Sequence, residues 1–186
     1  MPLTTDQLAA RKIGGSSVPM LLGCYGGPKA LFDRMTGQSD PVEQNLLMRL
    51  GDATEGCHRA ILETESGYTI YGPEAGKTDI HPDYPWMTAH PDGTAYKDGA
   101  NGIIELKFTT YLSAEKRDLI YPAQLLHNMI VCDCTWGLLS VLGGKDGWIH
   151  WRVERDEEQA AQLIELEARF YKMVLDGEWR DTWRTQ

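Results

Sequence analysis

A chain of 186 residues with 42% hydrophobic and 24% charged residues has the balance of a folded protein, which excludes a disordered chain and points to one domain, residues 1–186, with a sizeable core. Its net charge of −9 argues against indiscriminate binding to polyanions. A local basic groove stays compatible with that charge, because much of the acid falls in residues 154–167, read as a solvated helix.

In chain order, residues 5–10 read as a short helix with Thr4, Thr5 or Asp6 as N-cap. Arg11 to Ser17 then combine basic residues, glycines and hydroxyls. Glycines let backbone N–H groups approach an anion, and Ser16 or Ser17 can cap the turn at 18–22, whose N-terminal dipole favours a phosphate. An ordinary N-cap accounts for the same residues equally well. Residues 23–28 read as a loop and 29–35 as a short helix stopped by Thr36-Gly37. Pro41 opens the longest early helix, with an apolar face of Val42, Leu46, Leu47, Leu50, Ala53, Ala60 and Ile61 weakened by Gly51 and Gly56. Glu55 rides on it, as a surface acid or, if the helix packs on the central sheet, as part of the site below.

Residues 69–90 are turn-rich, with a strand expected at 86–90. His81 and His90 lack a pattern with other ligands, and magnesium prefers oxygen, but His90 directly precedes Pro91-Asp92 and can contact a phosphate. The segment 91–107 organises the chain. It places Asp92 in a turn and Glu105 with Lys107 on one face of a strand, while Leu106 points the other way. The Gly-rich link at 97–102 reads as a hairpin turn that brings Asp92 level with them. Beyond it, residues 113–119 read as polar and mobile, and 121–131 as a helix with Tyr121, Gln124, Leu125 and Asn128 on neighbouring positions. A buried Gln124 amide needs partners. Residues 135–142 and 148–153 form a hairpin around Gly143-Gly144-Lys145-Asp146-Gly147, with Trp148 and Trp151 as sheet packing. A final helix spans 156–175, and the tail with Trp179 and Trp183 docks on a neighbouring subunit or folds back.

Cys24, Cys57, Cys132 and Cys134 are too few for a disulfide framework in this length, and Cys132-Asp133-Cys134 lacks zinc-knuckle spacing, so reduced thiols are expected. No apolar run approaches the roughly 18 residues of a membrane span. The first residues lack signal-peptide character, so a cytoplasmic location without membrane contact is expected.

Hydrolysing a phosphodiester requires stabilised charge on the phosphorus and a hydroxide-like nucleophile, which one or two Mg²⁺ ions can supply. Asp92 and Glu105 offer hard carboxylate oxygens, and the Leu106 carbonyl can add a third. Lys107 can orient or deprotonate the attacking water, or stabilise the developing charge if it stays protonated. Glu-x-Lys alone is a weak signal, and a structural ion pair and a metal site stand level on spacing. Ile103-Ile104 just before Glu105 send the strand into the interior, where burying a carboxylate and an ammonium demands compensation.

Taken in order, Gly51-x-x-x-Glu55, Pro91-Asp92-Gly93, Ile103-Ile104-Glu105-Leu106-Lys107 and Tyr121-x-x-Gln124 resemble the PD-(D/E)xK nucleases of the lambda exonuclease and YqaJ-type viral recombinase family. Ile13-Gly14-Gly15-Ser16-Ser17-Val18 looks like that family's N-terminal segment, and the similarity spans about residues 11–153. The resemblance implies an α/β (α+β) fold of restriction-endonuclease type, a central mixed β-sheet flanked by helices. Within it, an N-terminal phosphate-pocket segment covers about 11–22, a catalytic core 41–153, and a C-terminal helix and tail 156–186.

It further implies that Asp92, Glu105 and Leu106 hold Mg²⁺, with Mn²⁺ able to substitute. Glu55 would approach a second metal, Lys107 would serve the water, and Gln124 would steady the site. For the 5′-phosphate and DNA the candidates are Arg11, Ser16, Ser17, His90 and Tyr121. The arginine-to-serine spacing is shorter than in lambda exonuclease, and His90 stands where a serine occurs there. The implied activity is 5′ to 3′ digestion of one strand of duplex DNA from an end, leaving a 3′ single strand for an annealing protein in phage or prophage recombination. A trimeric ring around DNA would reconcile −9 with DNA binding, by lining only its channel with Lys and Arg. An endonuclease or repair nuclease of the same fold, and a catalytically silent DNA-binding module, are the alternatives. The iron–sulfur branch of the superfamily is disfavoured by the cysteine spacing.

Overall fold

The computed structural model describes residues 3–40, 43–143 and 147–185. Pro41, Val42 and the Gly144-Lys145-Asp146 part of the expected hairpin turn lie outside the described residues.

The fold grows from one hairpin. Strands β5 (Gly93–Lys97) and β6 (Ala100–Phe108) pair antiparallel through the two-residue turn Asp98-Gly99, whose φ values of 54° and 83° are those of a turn matched to strand twist. β6 is the longest strand because its residues 103–107 are apolar or internally paired and can enter the interior. It pairs in parallel with β7 (Trp136–Leu142), which needs a crossover, and helix α5 (Tyr121–Val131) supplies it. β8 (Trp148–Glu154) pairs antiparallel with β7, and β2 (Thr69–Tyr71) with β5. The result is a five-stranded mixed sheet in the order β2-β5-β6-β7-β8. β1 (Ile13–Gly14), β4 (Met87–Ala89) and β3 (Asp79–Ile80) form a second, three-stranded sheet in the order β1-β4-β3.

On one face of the large sheet α5 and α6 (Glu157–Asp176) bury Leu125, Met129 and Leu163 against Ile103, Leu139 and Val141. On the other, α4 (Leu46–Ser66) sets Leu62 against Ile104, Leu106, Trp136 and Leu138. Each fully buried leucine of these layers is worth about 1.5–3 kcal/mol over its exposed state. The mixed α+β architecture with helices on a central mixed sheet agrees with the fold expected. The N-terminal helices α1 (Thr5–Ala9), α2 (Val18–Leu21) and α3 (Gly27–Met35) share a further cluster with α6, through Leu8, Leu21, Phe32, Phe170 and Val174. Thr4 caps α1, accepting a hydrogen bond from the Gln7 N–H. Of the two readings of the tail, folding back holds: Trp183 is 4% exposed in that cluster, and the Trp179 ring packs edge-on 5.6 Å from Phe32. Trp148 and Trp151 pack against the sheet clusters, and all four cysteines are free thiols. Among the described residues no helix is long and apolar enough to cross a membrane.

Four local expectations are corrected. α4 begins at Leu46 rather than Pro41, because Asn45 accepts the Met48 N–H and fixes the start there. Its expected apolar face is largely open, with Leu46, Leu47 and Leu50 exposed, whereas His58 and Leu62 are the buried positions. The helix meets the sheet through other positions, Gly51 beside Phe108 and Leu62 in the cluster with Ile104 and Leu106, and its leucines at 46, 47 and 50 face outward. Ser17 stands at the N-cap of α2, but its side chain makes no capping hydrogen bond. Residues 113–119 are not featureless: Ser113 Oγ accepts the Lys116 N–H at 3.2 Å and opens a π-helical turn, Lys116–Ile120, that runs into α5.

Candidate active site

The β5–β6 ladder ends at the pair Gly93↔Ile104, so β6 continues from Glu105 with one edge unpartnered. Asp92 sits where β5 would otherwise extend. Its N–H donates to the Ile104 carbonyl at 3.0 Å, and its Oδ2 accepts the Leu106 N–H at 2.7 Å, taking the place of a strand neighbour. A strand residue presents its N–H and C=O to the same edge, so the Leu106 carbonyl faces the side on which the Asp92 carboxylate lies. The Leu106 side chain meanwhile anchors the strand in the cluster under α4.

Period two turns Glu105 and Lys107 toward α5. Glu105 is 3% exposed, and both its oxygens are held. Lys107 Nζ donates to Oε1 at 2.5 Å, Gln124 Nε2 to the same oxygen at 2.6 Å, and Asn128 Nδ2 to Oε2 at 2.8 Å. Gln124 Oε1 in turn accepts from Lys107 Nζ at 2.9 Å, which orients the amide by its partners. Gln124 and Asn128 are four residues apart and share one face of α5. On α4, Arg59 donates to Glu55 Oε2 at 3.3 Å and to the Asp92 carbonyl at 3.1 Å, tying that helix to the Asp92 turn. Behind it His58 Nε2 meets Ser140 Oγ at 2.8 Å, and Trp148 Nε1 donates to the same hydroxyl at 2.9 Å.

These contacts enclose a cleft of about 230 Å³ lined by Glu55, His58, His90, Asp92, Glu105, Leu106, Lys107 and Gln124, among others. Burial and the adjacent Glu105 carboxylate push the Asp92 carboxyl up to about 7; the Leu106 N–H and the Lys107 ammonium oppose the shift, and Glu55 adds to it. Burial alone would lower Lys107, but Glu105 and Asp92 outweigh it and hold the ammonium above its ordinary range. Burial and the Arg59 charge push His58 down to about 4, so it is neutral.

A divalent cation fits the donor set. Two carboxylates and an edge carbonyl are hard oxygens, and a carboxyl that resists ionisation beside another acid is one that a cation would relieve. Among the described residues no three His, Cys, Asp or Glu side chains are gathered as a metal cluster. The candidate set is therefore two side chains and a main-chain oxygen, with Glu55 turned to Arg59.

Of the residues expected from sequence, the fold brings Glu55, His90, Asp92, Glu105, Leu106, Lys107 and Gln124 to one cleft. Arg11, Ser16, Ser17 and Tyr121 do not line it. Arg11 and Ser16 are exposed and Ser17 is buried. Tyr121 is 6% exposed, and its ring lies beneath the Lys107 ammonium, 5.7 Å from Nζ to the centroid, so it supports the lysine rather than facing an open groove. His90 Nε2 is 3.2 Å from Thr78 Oγ1. Sequence reading missed Asn128 and Arg59 as members of the site. The signal for Asn128 was available, a second amide one turn after Gln124 in an apolar stretch; Arg59 reads like any helix-surface arginine.

A family model for the YqaJ-like viral recombinase domain matches residues 7–135. No curated protein sequence matches the chain. Among solved structures, an alkaline exonuclease from Laribacter hongkongensis (LHK-Exo) superposes with a TM-score of 0.71 at 21% identity, over 92% of this chain and 92% of that one. The same exonuclease in complex with dAMP gives 0.72 at 20% identity, over 91% and 90%. A phage-related exonuclease from Haemophilus somnus 129PT gives 0.70 at 12% identity, over 92% and 96%. At these identities the structures establish the shared fold, and the match over residues 7–135 establishes the family: the chain belongs to the YqaJ-like viral recombinase domain family.

Proposed function

We propose that this protein is a divalent-metal-dependent DNA exonuclease that hydrolyses duplex DNA from an end, 5′ to 3′, with Asp92, Glu105, Lys107 and Gln124 as its centre. A deoxyribonuclease activity follows from the family and from a fold shared with exonucleases. The observation that carries the finer reading is the open end of β6, where two carboxylates, an edge carbonyl and a lysine meet in one cleft.

Asp92, Glu105 and the Leu106 carbonyl would hold Mg²⁺ or Mn²⁺, and Glu55 could reach a second ion once released from Arg59. A bound cation there supplies neutralisation of charge on the scissile phosphate and lowers the pKa of the attacking water. The chain's own groups do the rest. Glu105, fixed by three donors, keeps its oxygens in one orientation and adds no reorganisation cost. Lys107, protonated and with two of its three N–H bonds committed to Glu105 and Gln124, has one left for the attacking water or a phosphate oxygen. In this protonation state it stabilises charge instead of removing a proton. Gln124 holds Lys107 and Glu105 in register. His90, exposed at the cleft's rim, is placed to meet a phosphate, and Arg11, Ser16 and Ser17 are the candidates for the 5′-phosphate beyond it. We further infer one nuclease domain, DNA ends as partner, an annealing protein acting on the 3′ strand, and a homo-oligomeric ring.

Duplexes labelled at the 5′ or the 3′ terminus, compared with a covalently closed circle in Mg²⁺, test the reading. Early release of the 5′ label with an intact circle is expected; cutting of the circle would assign an endonuclease of the same fold instead.

A further inference from the structure

Gly15 stands in the Gly14-Gly15-Ser16-Ser17 segment, where glycine suggested a close backbone approach to an anion. Neither Gly14 nor Gly15 is among the glycines with positive φ, so conformation does not require glycine at either position. Space separates the two. A Cβ on Gly14 would meet only Thr88, at 3.7 Å from its carbonyl oxygen, an ordinary contact. A Cβ on Gly15 would lie 2.5 Å from Asn128 Oδ1, 3.1 Å from its Cγ and 3.2 Å from its Nδ2. All three heavy atoms of that amide head are in the way.

The amide cannot give easily. Asn128 is 2% exposed, between Leu125 and Met129, both fully buried on the same helix. Its Nδ2 is the donor to Glu105 Oε2, and its Oδ1 has no hydrogen-bond partner among the described residues. A buried carbonyl left without a donor is costly, so something else must hold the amide in this orientation. The carboxylate on one side and the bare Gly15 on the other do so.

We propose that Gly15 and Asn128 are a positioning pair, in which the missing side chain of Gly15 makes the room for the Asn128 amide to hold the second oxygen of Glu105. The N-terminal segment thereby sets the orientation of the central carboxylate. The assignment rests on the nuclease reading for its kinetic consequence but not for its structural one.

The test is a double-mutant cycle on Gly15→Ala and Asn128→Ala, read in kcat, KM for a 5′-phosphorylated duplex, Mn²⁺ affinity by calorimetry, and Tm. Each single variant is expected to lower kcat and Mn²⁺ affinity about 10- to 100-fold, as loss of a partner to a metal-holding carboxylate does, with KM unchanged. The double variant should be no worse than Asn128→Ala alone and should recover the Tm lost in Gly15→Ala, because the obstructing amide is gone. Gly14→Ala should keep wild-type Mn²⁺ affinity. Additive losses in the double variant, or a Gly15→Ala effect confined to KM for phosphorylated ends, would overturn the pair in favour of direct phosphate contact. If the wild-type protein cleaves no DNA, the nuclease reading fails, while the Mn²⁺ and Tm arms still decide on the pair.

Discussion

The Asp92 carboxylate accepts the main-chain N–H of Leu106 at 2.7 Å, so a side chain completes the sheet edge where β5 has ended. That bond puts Asp92 beside Glu105 and beside the Leu106 carbonyl, where burial and the Glu105 carboxylate push its carboxyl up to about 7 against the pull of the bond itself.

Metal binding should therefore be linked to pH through Asp92. With its carboxyl raised to about 7 in the folded protein, the neutral form favours folding at low pH, and that contribution is lost as pH rises through about 7. A cation must displace the proton, so Mn²⁺ affinity should rise with pH up to about 7 and level off above it. Calorimetry in buffers of different ionisation enthalpy should show net proton release at pH 6 that vanishes at pH 8. Asp92→Asn, which can still accept the Leu106 N–H, should remove both metal binding and the pH dependence; unchanged Mn²⁺ binding in that variant would refute the ligand assignment.

His127 and Glu167 form a fully buried pair behind the site, His127 Nδ1 to Glu167 Oε1 at 2.8 Å, with Nε2 at 2.9 Å from the Thr88 carbonyl. Burial opposes the imidazolium, but Glu167, the Thr88 carbonyl and the more distant Glu105 outweigh it and raise His127 above its ordinary value. Its contribution is present in full below the unfolded value of about 6.5 and is lost as pH rises through the raised one. His127→Ala should cost about 3–5 kcal/mol in urea unfolding at pH 6, because it strands Glu167. A loss under about 1 kcal/mol would show the pair to be unimportant for stability.

His58 works in the opposite sense. Pushed down to about 4, it favours folding as the neutral ring, so its contribution is complete above about 6.5 and drains away toward pH 4. Ser140→Ala removes the hydroxyl shared by His58 and Trp148 and should destabilise by about 1–3 kcal/mol at pH 7. The penalty should shrink if Trp148 is also replaced by Phe, and a double-mutant cycle without coupling would separate the two contacts.

The parts of this fold with a strong local rule were legible in the chain. The hairpin turn between β5 and β6, the alternation through β6, and the final helix each follow from nearest-neighbour chemistry. The alternation also set Glu105 and Lys107 on one face. The start of α4 was not legible, because Leu46, Leu47 and Leu50 carry a helical apolar pattern and yet lie on a turn that no sheet covers. Nor were the roles of Gly15 and Asn128. Both depend on where α5 meets the N-terminal segment, a contact between residues 113 positions apart that no period encodes.

In the proposed reaction Lys107 is the charged group that would face the scissile phosphate. Single-turnover digestion of a 5′-phosphorylated linear duplex in Mg²⁺ by wild type and by Lys107→Ala tests it most directly. The wild type should release mononucleotides, and the variant should be slower by about 100-fold or more while its circular dichroism persists. Digestion by Lys107→Ala at the wild-type rate would contradict the claim.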